Sequence, residues 1–294
     1  MYIDIHKRNL RKKKLRRRRR QKRKKMKTLA TAHSFFTIDT DTYKDKGITV
    51  FDFDDSRSND FIANFVIPFR QSYVSDELLK SEVDNGINTR EVAISNRLPE
   101  LPRLKSGEFG EILVFFLSQM FVCPDSNIRP IKWRWKETKD QPCHLTDIVL
   151  MKYETDNPQP TDYIFSSEVK TSAKRIGERT SVSKMNEAID GALKDKNSRI
   201  GKMIAYLTTQ YMRDRNPEMA KVVKRFGDST TISYERRISA IVVSERDSLK
   251  NHIKNITTDN MKMAINEQIA LFAIPIKNLK SIYEELYTIT PTKG

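Results

Sequence analysis

The sequence has little cysteine, little histidine and no long apolar run. Its two cysteines, Cys123 and Cys143, cannot build a disulfide framework and fall short of the four ligands of a structural zinc site. A reducing cytoplasm is the natural compartment. No apolar stretch approaches the roughly 20 residues of a membrane span, and the basic start is not followed by the apolar core of a signal peptide. A soluble intracellular chain with no membrane partner is therefore expected. With 9 glycines and 11 prolines in 294 residues, no segment is rich enough in either to force a domain cut, and no internal repeat is visible. What remains is length enough for one large domain or two smaller ones.

The formal net charge of +16 looks like a nucleic-acid signal until it is divided along the chain. Residues 1–28 hold 16 of the 54 Lys and Arg against a single acid, Asp4, which leaves 38 basic and 37 acidic residues for the remainder. The body is nearly neutral, so bulk charge says nothing about DNA. The like-charge block at 1–27 should repel itself and stay disordered when free. It is either an arm that grips phosphates or an anionic lipid surface, or sequence upstream of a true start at Met26. The second reading arises because Lys22-Arg23-Lys24-Lys25 is encodable by a purine-rich stretch resembling a ribosome-binding site.

Periodicity predicts a mixed α/β region over 28–103, with a strand in Ile48-Thr49-Val50-Phe51-Asp52-Phe53, a β-rich run at 61–69 and a helix at 75–83 capped by Ser75 and Asp76. Asp52, Asp54 and Asp55 invite a metal reading, set against a strand ending in a solvated acidic turn. From 104 to 294 the pattern strengthens. An apolar helix runs from Ser106-Gly107-Glu108-Phe109-Gly110-Glu111 to about 121. Three strands are expected next, at 131–136, 145–153 and 163–170, then a helical stretch at 183–213, a strand at 238–243, a helix at 247–255, a strand at 269–276 and a helix at 279–287. The fold class is α/β, a mixed central sheet flanked by helices.

In Ser166-Ser167-Glu168-Val169-Lys170 the side chains alternate, so Glu168 and Lys170 share a face while Val169 packs opposite. In His144-Leu145-Thr146-Asp147-Ile148-Val149, one acid opens an otherwise apolar run, and its burial needs a cation or donors nearby. If the two strands are antiparallel neighbours joined through 156–160, Asp147 falls beside Glu168 and Lys170. Two carboxylates can hold Mg²⁺, with Mn²⁺ as a substitute, while phosphate and water fill the other positions. Lys170 can orient the water or offset transition-state charge. A further acid is available from the preceding helix, Glu111 or Glu108, which lie three apart on one face.

These residues resemble the PD-(D/E)XK, restriction-endonuclease-like nuclease superfamily over roughly 104–245. The resemblance implies a restriction-endonuclease-like core with Asp147 as the strand acid, Glu168 and Lys170 as the E-x-K pair, and Glu111 or Glu108 as the helical acid. Leu145-Thr146 stands where a proline often precedes the acid. More narrowly, the Gly-Glu helix, the histidine before the strand acid and Ser-Glu-Val-Lys-Thr-Ser resemble the HamA nucleases of Hachiman antiphage defence. That resemblance implies Mg²⁺-dependent cleavage of DNA and a HamB-like helicase partner.

Competing readings accompany each feature. The alternative to the metal site is a structural Glu168–Lys170 salt bridge with Asp147 capping a turn, and the alternative to the enzyme is a non-enzymatic binding or regulatory subunit with a degenerate nuclease fold. His144 is a second group around the site or an ordinary hydrogen-bonded histidine. Ser172 and Lys174 are DNA contacts or solvated loop residues. Trp133 and Trp135 form a base-stacking platform or pack in the core.

Overall fold

The computed structural model describes residues 33–143, 145–155, 159–177, 182–227 and 234–294. Six strands form one mixed sheet: β1 (Phe36–Tyr43), β2 (Ile48–Phe53), β3 (Ile148–Lys152), β4 (Tyr163–Ser172), β5 (Glu235–Glu245) and β6 (Ile269–Ile276), in the order β1-β2-β6-β5-β4-β3. The four inner strands run parallel to one another, and the edge strands β1 and β3 pair antiparallel with β2 and β4. β5 shows why the sheet is layered on both sides. Its residues are buried from Ile238 onward, Ile238, Ala240 and Val242 entering one apolar cluster and Ile241 and Val243 the other. A strand apolar on both faces is stable only between two helical layers.

Helices α1 (Ser58–Tyr73), α4 (Pro102–Leu117) and α10 (Leu279–Lys293) cover one face. The short helices α2 (Asp76–Asp84) and α3 (Arg90–Ser95) lie beyond them. On the other face, α5 (Lys184–Lys194), α8 (Arg246–Lys254) and α9 (Thr258–Asn266) pack on β2, β5 and β6, while α6 (Ile200–Arg213) and α7 (Pro217–Lys224) pack on β3 and β4. The α/β class and mixed sheet expected from periodicity are as observed. So are the helix capped by Ser75, whose hydroxyl accepts from the Leu78 amide at 3.1 Å, and the strands at β2 and β6. β1 and β2, from the first hundred residues, belong to the same sheet as the rest.

Three elements differ from expectation. The run at 61–69 is not a strand but the middle of α1. Phe61, Phe65, Phe69 and Tyr73 recur every four residues and make one buried stripe, with successive ring centroids 5.0, 6.0 and 5.5 Å apart. Aromatic and β-branched composition, with Pro68 inside the helix, disguised a helical period.

The segment at 131–136 is a one-turn 3-10 helix, Lys132–Trp135, so among the described residues two strands rather than three lie between α4 and α5. Its alternation is real but does not separate a packed face from a solvated one. Trp133 packs edge-on against Phe115 of α4 (5.6 Å), Trp135 lies edge-on to Tyr206 (6.3 Å) and Tyr211 (5.6 Å), and Lys132 is buried. The two indoles therefore diverge and form no common platform. Finally, β3 starts at Ile148 rather than 145, because Leu145 has a left-handed backbone (φ 72°) that a strand cannot contain.

The acidic trio also has a structural role. The Arg246 guanidinium pairs with Asp52 (2.6 Å) and with Asp55, while Asp54 caps the turn Asp55–Arg57 through the Ser56 amide (3.1 Å). The segment at 1–27 lies outside the described residues.

Candidate active site

The antiparallel register of β3 and β4 pairs Ile148 with Ser167, which sets Asp147, one residue before β3, opposite Glu168. There β3 has ended and β4 continues. The Val169 amide, left without a strand partner on that side, donates to Asp147 Oδ2 at 2.8 Å. A backbone donor at a broken edge thus anchors the acid whose burial is otherwise costly.

Glu168 and Lys170 share a face of β4, as their spacing requires, with Nζ 2.6 Å from Oε1. Arg199 adds a second contact, 3.2 Å from Glu168 Oε2. Arg199 comes from a π-helical turn, Asp195–Arg199, inserted between α5 and α6, and it also reaches the fully buried Asp195 at 3.5 Å. Single π turns of this kind are frequent at functional sites. Gly191 of α5 makes room: a Cβ there would sit 2.4 Å from Glu168 Cδ.

Glu111 reaches the cluster from the opposite face of β4. Helix α4 crosses so close that a Cβ on Gly110 would be 1.9 Å from Thr171 Oγ1, which places Glu111 near the strand edge. Lys132 joins it to Asp147: Nζ lies 3.0 Å from Glu111 Oε2 and 3.9 Å from Asp147 Oδ1, and donates to the Thr146 carbonyl at 3.2 Å. Glu108 belongs elsewhere. Its carboxylate accepts from Tyr73 Oη (2.9 Å) and Lys136 Nζ (2.5 Å), and Tyr73 in turn meets Tyr287 Oη at 2.8 Å. The two candidate helical acids, adjacent on their helix, thus enter separate networks, and Glu111 is the one beside Asp147.

Burial and mutual repulsion shape the charges. Burial, with the nearby Asp147 charge, pushes Glu111 up to about 8 although Lys132 opposes the shift. Burial and the charges of Glu168 and Asp147 push Asp195 up to about 7, and burial with Asp147 raises Glu168. Burial disfavours the ammonium of Lys132, but Glu111 and Asp147 outweigh it and hold the group charged. Lys170 is likewise raised, Glu168 outweighing burial.

A model of the HamA family matches residues 30–289. The chain belongs to the HamA family. It is therefore a protein related to Hachiman antiphage defence. No curated protein matches the chain. The match to the HamA family spans the whole sheet, from β1 to β6, together with every residue of the cluster.

In this HamA-family chain the donors are all oxygen, which suits a hard divalent ion. Asp147 and Glu168 are the facing pair, close enough that the charge of Asp147 helps to raise Glu168. Among the described residues no three His, Cys, Asp or Glu side chains form a ready shell. A cation here would rest on two carboxylates, with water and phosphate completing its sphere, as is usual for Mg²⁺. His144 lies outside the described residues. Ser172, buried near the end of β4, pairs with Ser244 of β5, and Lys174 is exposed with its carbonyl accepting from Ser248. The sequence reading missed Lys132, Asp195 and Arg199. Lys132 was hidden by its alternating neighbours, whereas the run Asp195-Lys196-Asn197-Ser198-Arg199 carried no sign of the inserted π turn that aims both charged ends at Glu168.

Proposed function

We propose that this HamA-family chain is a metal-dependent deoxyribonuclease of the PD-(D/E)XK type, the effector of a Hachiman defence system that a helicase subunit holds in check. The observation that carries the reading is Asp147 anchored by the Val169 amide directly opposite the Glu168–Lys170 pair. Asp147 and Glu168 would hold Mg²⁺ or Mn²⁺, which when bound would polarise the scissile phosphate and acidify a water. The chain's own groups supply the rest. Lys170 and Arg199 both contact Glu168 with side chains about a third accessible, and Lys170 is the one on the strand with it, two residues away on the same face. Raised above its ordinary value, it stays an ammonium and acts by offsetting charge on the phosphate and orienting water, not as a base. Lys132 fixes Glu111 beside Asp147, and Arg199 holds the second oxygen of Glu168 so that its carboxylate keeps one orientation.

A second reading has one observation in its favour. Glu111 and Glu168 already have cation partners within the chain, and so does Asp195, which suits a binding or regulatory subunit with a degenerate nuclease fold. Plasmid digestion with Mg²⁺ or Mn²⁺, with and without the product of the neighbouring gene, separates the two. Cleavage by the wild type that disappears in Glu168→Ala and Lys170→Ala supports the enzyme. Equal cleavage in all three proteins would remove the site assignment. A helicase gene next door would support the proposed partner.

A further inference from the structure

Beside the carboxylate cluster lies a cavity of about 430 Å³, walled by Trp135 and Tyr206 and bordered by Lys132, Lys136, Thr209 and Arg213. Its size is within the range of small-ligand sites, roughly 300–1,000 Å³. Three features say what would fill it. Its walls include two aromatic rings, set edge to face at 6.3 Å, which offer flat apolar surface. Its border mixes charges, with Lys132 and Lys136 already paired to Glu111 and Glu108 and Glu137 alongside, but Arg213, at the C-terminal end of α6, is exposed and forms no hydrogen bond or ion pair among the described residues, which leaves it available to a phosphate. The third is continuity: Lys132, which lines the cavity, is also the residue 3.0 Å from Glu111 and 3.9 Å from Asp147. The Cys143 thiol in the wall is pushed up to about 12 by burial and serves as apolar lining, not as a nucleophile.

We infer that this cavity receives a nucleobase with its phosphate at the mouth, held between the aromatic wall and Arg213. The inference rests on the proposed nuclease reading for the identity of the polymer, but not for the pocket. Stacking on aromatic side chains tolerates any base, because every base has a π-face. A base in the cavity would lie against Lys132, next to the carboxylates, and would hold its strand in place over them. The same chemistry could come from one splayed nucleotide of a DNA strand or from a free mononucleotide.

Two variants in the pocket itself test this. Ala205 lines the cavity and is exposed on α6, so Ala205→Trp should plug it from the solvent side, while Arg213→Ala removes the cation at the mouth. Binding is read by fluorescence anisotropy with a labelled single-stranded 12-mer and by calorimetry with dAMP, on the full chain carrying Glu168→Ala so that no cleavage intervenes. The expected result is about tenfold weaker 12-mer binding in each variant, with dAMP competing at the same site. Loss of dAMP binding with unchanged 12-mer binding assigns the pocket to a free mononucleotide. No dAMP binding, together with 12-mer binding that Ala205→Trp leaves unchanged, overturns the inference. Because neither assay requires cleavage, pocket binding alongside plasmid cleavage that Glu168→Ala and Lys170→Ala leave unchanged would sink the nuclease site and leave this inference standing.

Discussion

Replacing Lys132 by Met is the most informative single change to the cluster. Lys132 is 4 % exposed, lies 3.0 Å from Glu111 and 3.9 Å from Asp147, and donates to the Thr146 carbonyl. Met keeps much of the aliphatic stem but leaves two acids facing each other without their cation. Breaking a buried pair from one side typically costs about 3–5 kcal/mol. In a chain of this size that is a fall in Tm on the order of 10 °C. The loss should depend on pH. Glu111, raised from 4.5 to about 8, can shed its charge by taking a proton, so the variant should suffer less at pH 6 than at pH 9. A second substitution, Glu111→Met, should recover most of the loss, because a buried pair replaced whole by apolar side chains is often neutral. The assay is thermal and urea unfolding of the four proteins of that double-mutant cycle at both pH values. A loss under about 1 kcal/mol at pH 9, or a double variant as damaged as the sum of the singles, would refute the buried bridge.

The wild type itself should lose stability as pH climbs. The folded values of Glu111 and Asp195 stand above their ordinary 4.5 and 3.8, so their contribution is complete below those ordinary values and is lost on rising through about 7 to 8. Urea midpoints that increase from pH 5 to pH 9 would contradict this. Gly191→Ala should displace Glu168, whose Cδ a new Cβ would approach to 2.4 Å, and abolish DNA cleavage in a chain that still folds by circular dichroism. Retained full activity would show that Glu168 need not lie where it does. Gly110→Ala should cost more than 2 kcal/mol on unfolding, because the Cβ would fall 1.9 Å from Thr171 Oγ1, and Thr171→Ala should relieve part of the loss. Tyr73→Phe removes one donor from Glu108 and should cost about 1 kcal/mol of stability while leaving cleavage unchanged, since Glu108 lies outside the cluster. A cleavage defect matching that of Glu111→Gln would bring Glu108 back into the site.

Much of the fold could be read from periodicity where one period dominated a segment. β2, β6 and the helical stretch at 183–213 are of that kind, and the same-face placement of Glu168 and Lys170 follows from strand geometry alone. The juxtaposition of Asp147 with Glu168 was legible too, because a lone acid opening an apolar run demands a partner and an antiparallel pair supplies it. The failures have a shared cause. In 61–69 and 131–136 residue composition was consistent with strand, while the deciding contacts came from elsewhere in the chain: α4 and α10 for the aromatic stripe, Glu111 for Lys132. No local rule announces that a lysine between two tryptophans is buried. The π turn that brings Asp195 and Arg199 to Glu168 interrupts one long helix by a single wide turn, which leaves the amphipathic pattern almost untouched. β1, too, was missed, because an edge strand with an exposed pattern carries little apolar alternation.

A divalent-cation site on Asp147 and Glu168 is best tested apart from cleavage, because a nuclease restrained by its partner is silent in a cleavage assay. Calorimetric titration of Mn²⁺ into the full chain tests that site without the ambiguity. The expected result is binding at one site that is lost in both Asp147→Ala and Glu168→Ala and retained in Glu108→Gln. Mn²⁺ binding that survives both alanine substitutions, or that vanishes with Glu108→Gln instead, would contradict it.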